Sequence, residues 1–229
     1  MKLTLPKGQR LACVGKTGTG KSLLARELFI ASAGRRRVVI DPNDDASTEG
    51  ASGDKTPEDE RWPTTSDTKL DWRQSSTWRV VPPRDKGTRD QAWYSQLYEH
   101  LFDVRDVLIW IDEAARPTTS HQIPIGMDLV ISQGRKRSIT HIACSPRPVD
   151  AHPSLWSQSE YFAIFRLPNR LDRKTIAGHA GIPLEDFEAM QRTLGKHGFI
   201  WWETPTDTLH VIRDGLDFSS REDAPVSVR

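Results

Sequence analysis

Short apolar runs alternate with stretches of helical spacing along most of the chain. The apolar runs are of strand length and end at polar residues or proline, which is typical of buried strands in a parallel sheet. They cover 10–14, 37–41, 77–81, 106–112, 138–145 and 161–165. Helical spacing is found over 22–31, 88–102, 123–136, 169–180 and 184–194. Strands that alternate with helices predict an α/β domain whose mainly parallel sheet is flanked by helices.

The C-terminal part follows a different pattern. Residues 199–203 and 208–213 are two strand-like runs joined by a short turn, which predicts a C-terminal β-hairpin. Residues 216–229 are expected to form a polar tail with frayed structure. The pattern therefore predicts a single domain over residues 1–215.

One long segment interrupts the alternation. Residues 43–76 are rich in acidic and small polar residues and have almost no aliphatic side chains. This composition predicts an irregular, acidic and mobile insertion. Trp62 and Trp72 argue against complete disorder, and we expect one or both of them to dock on the core.

Composition narrows the class of protein. The chain has 229 residues and a formal net charge of +1, so any contact with nucleic acid must come from local basic patches. No apolar stretch approaches the roughly 18 residues that span a bilayer, and the first residues do not resemble a signal peptide. We expect a cytoplasmic protein without a transmembrane segment. Cys13 and Cys144 fall in predicted buried strands and are interpreted as small core residues.

The loop after the first apolar run carries the clearest chemistry. Residues 15–22 match the phosphate-binding pattern G-x-x-x-x-G-K-[ST], and they follow a predicted strand and open a predicted helix, as the motif requires. Backbone N–H groups of such a loop cradle the β-phosphate of a nucleotide, the lysine pairs with the β/γ-phosphates, and the final hydroxyl binds Mg²⁺. The predicted nucleotide-binding residues are Gly15, Lys16, Thr17, Gly18, Thr19, Gly20, Lys21 and Ser22.

A carboxylate pair ends the most apolar run of the chain. Asp112 and Glu113 directly follow Val107–Ile111. A P-loop hydrolase needs one carboxylate in the Mg²⁺ shell and a base for the attacking water. We assign Asp112, with Ser22, to the metal and Glu113 to the water. The pair favours a hydrolase over a kinase, which would need a phosphate-acceptor pocket instead.

Basic residues precede the strand predicted at 138–145. This strand is expected to lie between the P-loop strand and the Asp112 strand. From the residues alone, two interpretations of Arg135 and Arg137 are equally good. Either residue is an arginine finger that reaches the γ-phosphate in an adjacent subunit, or both belong to a solvated basic helix end.

Taken in order, the motifs resemble those of the FtsK–HerA superfamily of DNA-pumping ATPases, over residues 8–180. Many ATPases share the P-loop and the Asp-Glu pair, so more specific segments carry the resemblance. These are Gly134-Arg-Lys136, Ser145-Pro-Arg-Pro148 and Phe165-Arg-Leu-Pro-Asn169. Because the barrel, winged-helix and membrane segments of larger members are missing, the chain looks most like the genome-packaging ATPases of membrane-containing icosahedral viruses and phages.

The resemblance implies a RecA-like (ASCE) P-loop NTPase fold, with ATP and Mg²⁺ as cofactors. It implies a homo-oligomeric ring, usually a hexamer, that moves double-stranded DNA, here viral DNA into a capsid. The implied location is the host cytoplasm or the virion, with partners at a capsid vertex or an internal membrane. Arg135 becomes the preferred trans arginine finger and Arg137 the second choice.

One position departs from the family pattern. The family usually has Thr-Gln-Arg-Pro at the end of the sensor strand, and its glutamine senses the γ-phosphate. This chain has Pro146 at that place, and proline has no N–H to donate. Either Ser145 takes the sensing role, or coupling is arranged differently. Arg147 is expected to be structural or to face a subunit interface.

Other functions stay open from the sequence. The chain is alternatively a cellular or plasmid DNA translocase, or a non-motor ATP-binding assembly or regulatory protein; a small-molecule kinase is disfavoured. A DNA pump of near-neutral charge needs basic residues at its pore. The candidate loops are 35–37, which is more typical of a solvated surface, 84–89 and 170–174.

Overall fold

The computed structural model describes residues 3–32, 34–83 and 89–217, and the backbone of 226–228. The helices of this part are α1 (Lys21–Ala31), α2 (Gln91–Val104), α3 (Ile125–Gln133), α4 (Ser154–Ser157), α5 (Arg170–Ala180) and α6 (Leu184–Thr193). The first strands are β1 (Leu3–Leu5), β2 (Arg10–Val14), β3 (Arg36–Ile40), β4 (Thr64–Thr65), β5 (Thr77–Val80) and β6 (Val107–Ile111). The later ones are β7 (Thr140–Ser145), β8 (Tyr161–Phe165), β9 (Phe199–Glu203), β10 (Thr208–Ile212) and β11 (Val226–Val228).

The main sheet has nine strands in the order β10-β9-β8-β2-β7-β6-β3-β5-β4. All neighbours from β8 to β4 are parallel, and the hairpin β9–β10 is added antiparallel to β8. The predicted mainly parallel sheet and C-terminal hairpin are therefore confirmed. As predicted, β7 lies between β2 and β6, which brings the carboxyl ends of these three strands to one edge of the sheet.

Each face of the sheet has its own apolar core. The side chains of β6 show the division, because Leu108 and Trp110 enter one core, and the alternate residues Val107, Ile109 and Ile111 enter the other. All five side chains are fully buried. Helix α1 covers the first face, and α2, α3, α5 and α6 cover the second. Burial on both faces explains why the central strands are continuous apolar runs in the sequence.

The predicted insertion follows an irregular path of short 3₁₀ turns and the two-residue strand β4. Both of its tryptophans dock, as expected. Trp62 lies on Phe29 of α1, with ring centroids 4.8 Å apart, and Trp72 packs against the core of the opposite face. The mobility expected for residues 43–76 stays a prediction.

A buried ion pair fixes the start of this insertion. Asp41, at the end of β3, is fully buried, and Arg79 of β5 donates to it at 2.6 Å. Thr48 also donates its hydroxyl to Asp41, at 2.6 Å. Removing Arg79 would leave the Asp41 carboxylate buried without a charged partner, which typically costs about 3–5 kcal/mol. The chain path beyond β3 is thus tied to the sheet edge that carries the P-loop.

Two ends of elements differ from the sequence-based expectation. Helix α2 begins at Gln91 because the Asp90 side chain caps it, accepting hydrogen bonds from the N–H groups of Ala92 and Trp93. The predicted start at Thr88 lies outside the described residues. Within the stretch assigned to a polar tail, Val226–Val228 forms a strand that pairs in parallel with Leu3–Leu5. Such a pairing between the two termini leaves no local signal in the sequence.

A buried histidine sits in the second core. The His141 side chain of β7 is 2% exposed, and its Nε2 lies 3.2 Å from the Tyr98 hydroxyl. Burial, and secondarily the positive charge of Arg10, lower the pKa of His141 to about 3. The imidazole is therefore neutral in the folded protein at any physiological pH.

This histidine makes folding stability depend on pH. Below pH ~6.5 the unfolded chain binds a proton that folded His141 cannot, so stability present above that pH is lost as pH falls toward 3. We expect the unfolding free energy to drop by about 2 kcal/mol between pH 7.5 and pH 5 from this residue. Urea unfolding at both pH values checks it. A His141→Gln variant should show a smaller drop, and an equal drop in both proteins would contradict the prediction.

Candidate nucleotide site

The P-loop curls between the end of β2 and the start of α1 through glycines with positive φ. Gly15 (φ 149°) passes so close to β8 that an added Cβ would lie 2.5 Å from the Cβ of Phe165. Gly20 (φ 110°) caps α1 at its amino end. Gly18 (φ 79°) has open space around it, so only its backbone conformation favours glycine at this position.

The loop is held at both sides by backbone hydrogen bonds. Gly15 donates its N–H to the Ser145 carbonyl of β7 at 3.2 Å, and Lys16 donates to the Arg166 carbonyl beyond β8 at 3.0 Å. Within the loop, the Thr19 hydroxyl donates to the Lys16 carbonyl at 2.7 Å. The loop is thus fixed to both neighbours of its own strand.

Lys21 and Ser22 point toward the end of β6. The Lys21 side chain is largely buried, and its ammonium donates to the Lys16 carbonyl at 3.1 Å. The Ser22 hydroxyl donates to Oδ1 of Asp112 at 3.0 Å. The structure therefore brings the P-loop and the end of the Asp112 strand together, as the sequence predicted.

The carboxyl group of Asp112 has a raised pKa. Burial raises its pKa to about 6; the Ser22 hydrogen bond and Lys21 lower the pKa, and Asp41 and Asp45 raise it. A cation bound beside Asp112 would favour the charged carboxylate, because an opposite charge stabilises the ionised form. The site is therefore suited to holding a cation beside the Asp112 carboxylate.

Glu113 lies beside Asp112 in a tightly fixed turn. The Asp112 N–H donates to the Ile40 carbonyl at 3.0 Å, and the Ala114 N–H donates to the Cys144 carbonyl at 2.7 Å. Between these anchors Glu113 has φ 72°, a left-handed conformation that is uncommon outside glycine. Such strain is often found at functional sites.

The Glu113 carboxylate has two partners. Its Oε1 lies 3.2 Å from Nε of Arg116, and its Oε2 accepts a hydrogen bond from the Asn43 side-chain amide. The sequence analysis missed Asn43 because it lies in the polar stretch of the insertion. Only the order of the strands could have indicated Asn43, since it follows β3 and β3 is the direct neighbour of β6.

Ser145 and Pro146 line the same cavity as Lys21, Ser22, Asp112 and Glu113. Ser145 is fully buried, and its hydroxyl oxygen accepts the Arg147 N–H at 3.3 Å. Arg147 pairs with the buried Asp172 at 3.3 Å. Ser145 thus lies at the position expected for a sensor, and its sensing role stays a prediction.

Cys13 and Cys144 are register neighbours in the core, and burial raises the pKa of the Cys144 thiol.

The two arginine-finger candidates lie away from this site. Strand β7 runs from Thr140 to Ser145, which is about 16 Å in a parallel sheet. Arg135 and Arg137 precede its amino end, on a 3₁₀ turn at Gly134–Arg137. Neither side chain can therefore reach the nucleotide site of its own chain.

The two candidates differ in their surroundings. The Arg137 guanidinium lies 3.8 Å from the Phe102 ring centroid, and it donates to the Phe102 carbonyl at 3.1 Å. Arg135 is exposed, and within the described part of the chain its side chain has no hydrogen bond or ion pair. Arg135 is thus available for a neighbouring molecule, and Arg137 is already engaged.

The proposed pore loops are also distinguished by their contacts. Arg35 pairs with Asp106 at 3.1 Å, and Arg37 donates to the Phe29 carbonyl at 2.9 Å. Arg170 and Lys174 are more exposed, although Arg170 lies 4.0 Å from the Glu188 carboxylate. Residues 84–88 of the third candidate loop lie outside the described residues. Which loop faces DNA stays a prediction.

No helix in the described part of the chain is long and apolar enough to cross a membrane. Among the same residues, no group of three or more histidine, cysteine, aspartate or glutamate side chains is arranged to hold a metal ion.

The chain is similar in sequence to one group of known proteins. No protein-family model matches it. It is 26% identical over 193 residues to the DNA packaging ATPase P9 of Enterobacteria phage PRD1, covering 81% of this chain and 76% of that protein.

Solved structures give the same fold. The DNA-packaging ATPase B204 from Sulfolobus turreted icosahedral virus superposes with a TM-score of 0.71 at 17% identity, over 93% of this chain and all of B204. The genome packaging NTPase B204 from Sulfolobus turreted icosahedral virus 2, in complex with ATP-γS, gives 0.68 at 18% identity over 91% of this chain and 98% of that one. The chain therefore has the predicted P-loop NTPase fold, and its predicted resemblance to viral genome-packaging ATPases is confirmed.

Proposed function

We propose that this protein is an ATP-hydrolysing motor that translocates double-stranded DNA and packages a viral genome into a capsid. The observation that carries the proposal is the meeting of Ser22 and Asp112 at 3.0 Å, with Glu113 beside them, at the edge of the P-loop sheet. The similarity to a phage DNA packaging ATPase over four fifths of the chain supplies the link to DNA.

The phosphates of ATP would take the place of the internal contacts of the P-loop. The N–H groups of residues 17–22 and the amino end of α1 are arranged for anionic oxygens. Lys21 would exchange the Lys16 carbonyl for the β/γ-phosphates. Ser22 and Asp112 fit Mg²⁺, because a hydroxyl and a carboxylate are hard oxygen ligands. When bound, Mg²⁺ would neutralise the charge that develops on the phosphates.

Glu113 is proposed as the base that orients and deprotonates the attacking water. It lies next to the metal carboxylate, and its carboxylate is directed by Asn43 and Arg116. These partners also compete with water for the carboxylate oxygens. A small displacement of Asn43 would therefore free one oxygen for catalysis.

We further propose that the protein works as a homo-oligomeric ring, most simply a hexamer, in which Arg135 enters the site of the adjacent subunit. Its exposure and its position at the opposite edge of the sheet support an action in trans. The remaining proposals are DNA contacts by exposed basic residues, partners at a capsid vertex or internal membrane, and a location in the host cytoplasm or virion.

An ATPase assay with and without long double-stranded DNA tests this function. We expect DNA to stimulate turnover, with a dependence on salt because basic residues release counterions when they bind phosphates. Light scattering in the presence of Mg²⁺ and ATP should give the molar mass of a closed oligomer, as expected for a ring. A Lys21→Ala variant should lack both basal and stimulated turnover. A monomer whose ATPase activity ignores DNA would contradict the motor and favour a non-motor ATP-binding protein.

A further inference from the structure

The bound triphosphate has a defined direction if the proposed nucleotide site is correct, and the inference here rests on that proposal. The groups assigned to the γ-phosphate end, Asp112 and Glu113, lie beyond β6. The strand order is β6-β7-β2-β8-β9. Because the P-loop starts from β2, the nucleoside must leave the loop on the opposite side, toward β8 and β9.

The size of the phosphate cavity shows that the nucleoside needs a further contact surface. Its volume is about 120 Å³, well below the roughly 300–1,000 Å³ of pockets that enclose a whole ligand. The base and ribose must therefore bind outside it. A contact surface for them has to come from residues near the outer side of the P-loop.

His197 occupies that outer side. It belongs to the turn of residues 195–198, between α6 and β9, and this turn comes to the P-loop because Phe199 pairs with Phe165 at the end of β8. Nδ1 of His197 lies 3.3 Å from the Thr19 carbonyl oxygen, so it donates a hydrogen bond to the loop. The residue is nevertheless exposed.

The turn that carries His197 is rigid. Gly195 donates its N–H to the Arg213 carbonyl at 2.7 Å. An added Cβ on Gly198 would lie 2.1 Å from the Arg213 carbonyl oxygen, and one on Gly215 would lie 2.9 Å from the His197 carbonyl oxygen. These close approaches place the histidine at a fixed position beside the loop.

We propose that His197 stacks on the base of the bound purine nucleotide. Its Nδ1 edge holds the ring against the P-loop, which leaves the flat faces of the imidazole for another ring. Aromatic side chains stack on any base, because every base has a π-face. The turn before the C-terminal hairpin would thus contribute a binding residue that none of the phosphate-binding motifs contains.

Binding of three ligands distinguishes a base contact from a phosphate contact. We would titrate Mg²⁺-ATP, Mg²⁺-GTP and Mg²⁺-tripolyphosphate, which has no base, into the wild-type protein and its variants by calorimetry. For His197→Ala we expect the Kd of ATP and of GTP to rise at least about fivefold. The Kd of tripolyphosphate should stay within about twofold of the wild-type value. Because His197 is exposed, the variant should keep its melting temperature.

Two further variants separate stacking from the hydrogen bond. His197→Phe keeps an aromatic ring and should restore nucleotide binding, and His197→Asn keeps a donor for Thr19 and should not. Rescue by Asn alone, an equal loss for tripolyphosphate, or unchanged nucleotide binding in His197→Ala would overturn the proposal. The Lys21→Ala variant tests the nucleotide site itself. If it binds ATP and tripolyphosphate like the wild type, the proposed function fails, whatever His197 does.

Discussion

A Glu113→Gln variant is expected to bind ATP within about threefold of the wild-type affinity and to hydrolyse it at least about 100-fold more slowly. Glutamine has nearly the same shape and keeps an oxygen for Asn43, so the turn after β6 should persist. It cannot take a proton from the attacking water. Because only the transition state needs that proton transfer, kcat should fall while ground-state binding is retained.

Glu203 provides the matched control. It is the last residue of β9, and its carboxylate accepts a hydrogen bond from the Trp201 indole N–H at 3.0 Å. A Glu203→Gln variant undergoes the same chemical change and should hydrolyse ATP at the wild-type rate. Steady-state turnover and equilibrium binding of ATP, measured for both variants, check the prediction. Normal turnover in Glu113→Gln would remove Glu113 from the chemistry.

The sequence predicts the part of this site that comes from strand ends. The P-loop glycines are required by local backbone geometry, and Asp112 follows five fully buried residues, so both positions follow from short-range patterns. Their meeting follows from the parallel order of β2, β7 and β6, which strand–helix alternation favours. The hydrogen bond between Ser22 and Asp112 is the consequence.

Asn43 and His197 show what the sequence does not predict. Each lies outside any motif and reaches the site only because the strand next to it, β3 for Asn43 and β9 for His197, is at a particular place in the sheet. Asn43 depends further on the buried pair of Asp41 and Arg79, whose partners are 38 residues apart. Side chains brought in by the order of strands leave no pattern in a single sequence.

The arginine candidates show how burial resolves an ambiguity. In the sequence, Arg135 and Arg137 are two basic residues of one short segment. In the structure, one is exposed and the other lies on Phe102. We therefore expect Arg135, and not Arg137, to act in the site of a neighbouring subunit. A single set of mixed assemblies tests both expectations.

Loss of Arg135 is expected to lower kcat at least about 100-fold, and mixing should partly reverse the loss. An arginine finger typically contributes about 10³–10⁵ in rate. Each complete site would combine Glu113 of one subunit with Arg135 of its neighbour. Arg135→Ala and Glu113→Gln subunits are each inactive alone. In a mixed ring, an Arg135→Ala subunit keeps its Glu113 and can receive Arg135 from a Glu113→Gln neighbour.

The size of the recovery tests the arrangement. In a ring built head to tail, random mixing at equal amounts should complete about a quarter of the junctions, and so return up to about a quarter of wild-type turnover. Arg137→Ala is the control, because loss of its contact with Phe102 should lower the melting temperature and leave turnover per folded protein nearly unchanged. If no activity returns on mixing, Arg135 does not act in trans. If Arg137→Ala is inactive and is complemented instead, the finger is Arg137, and the exposure of Arg135 needs another explanation.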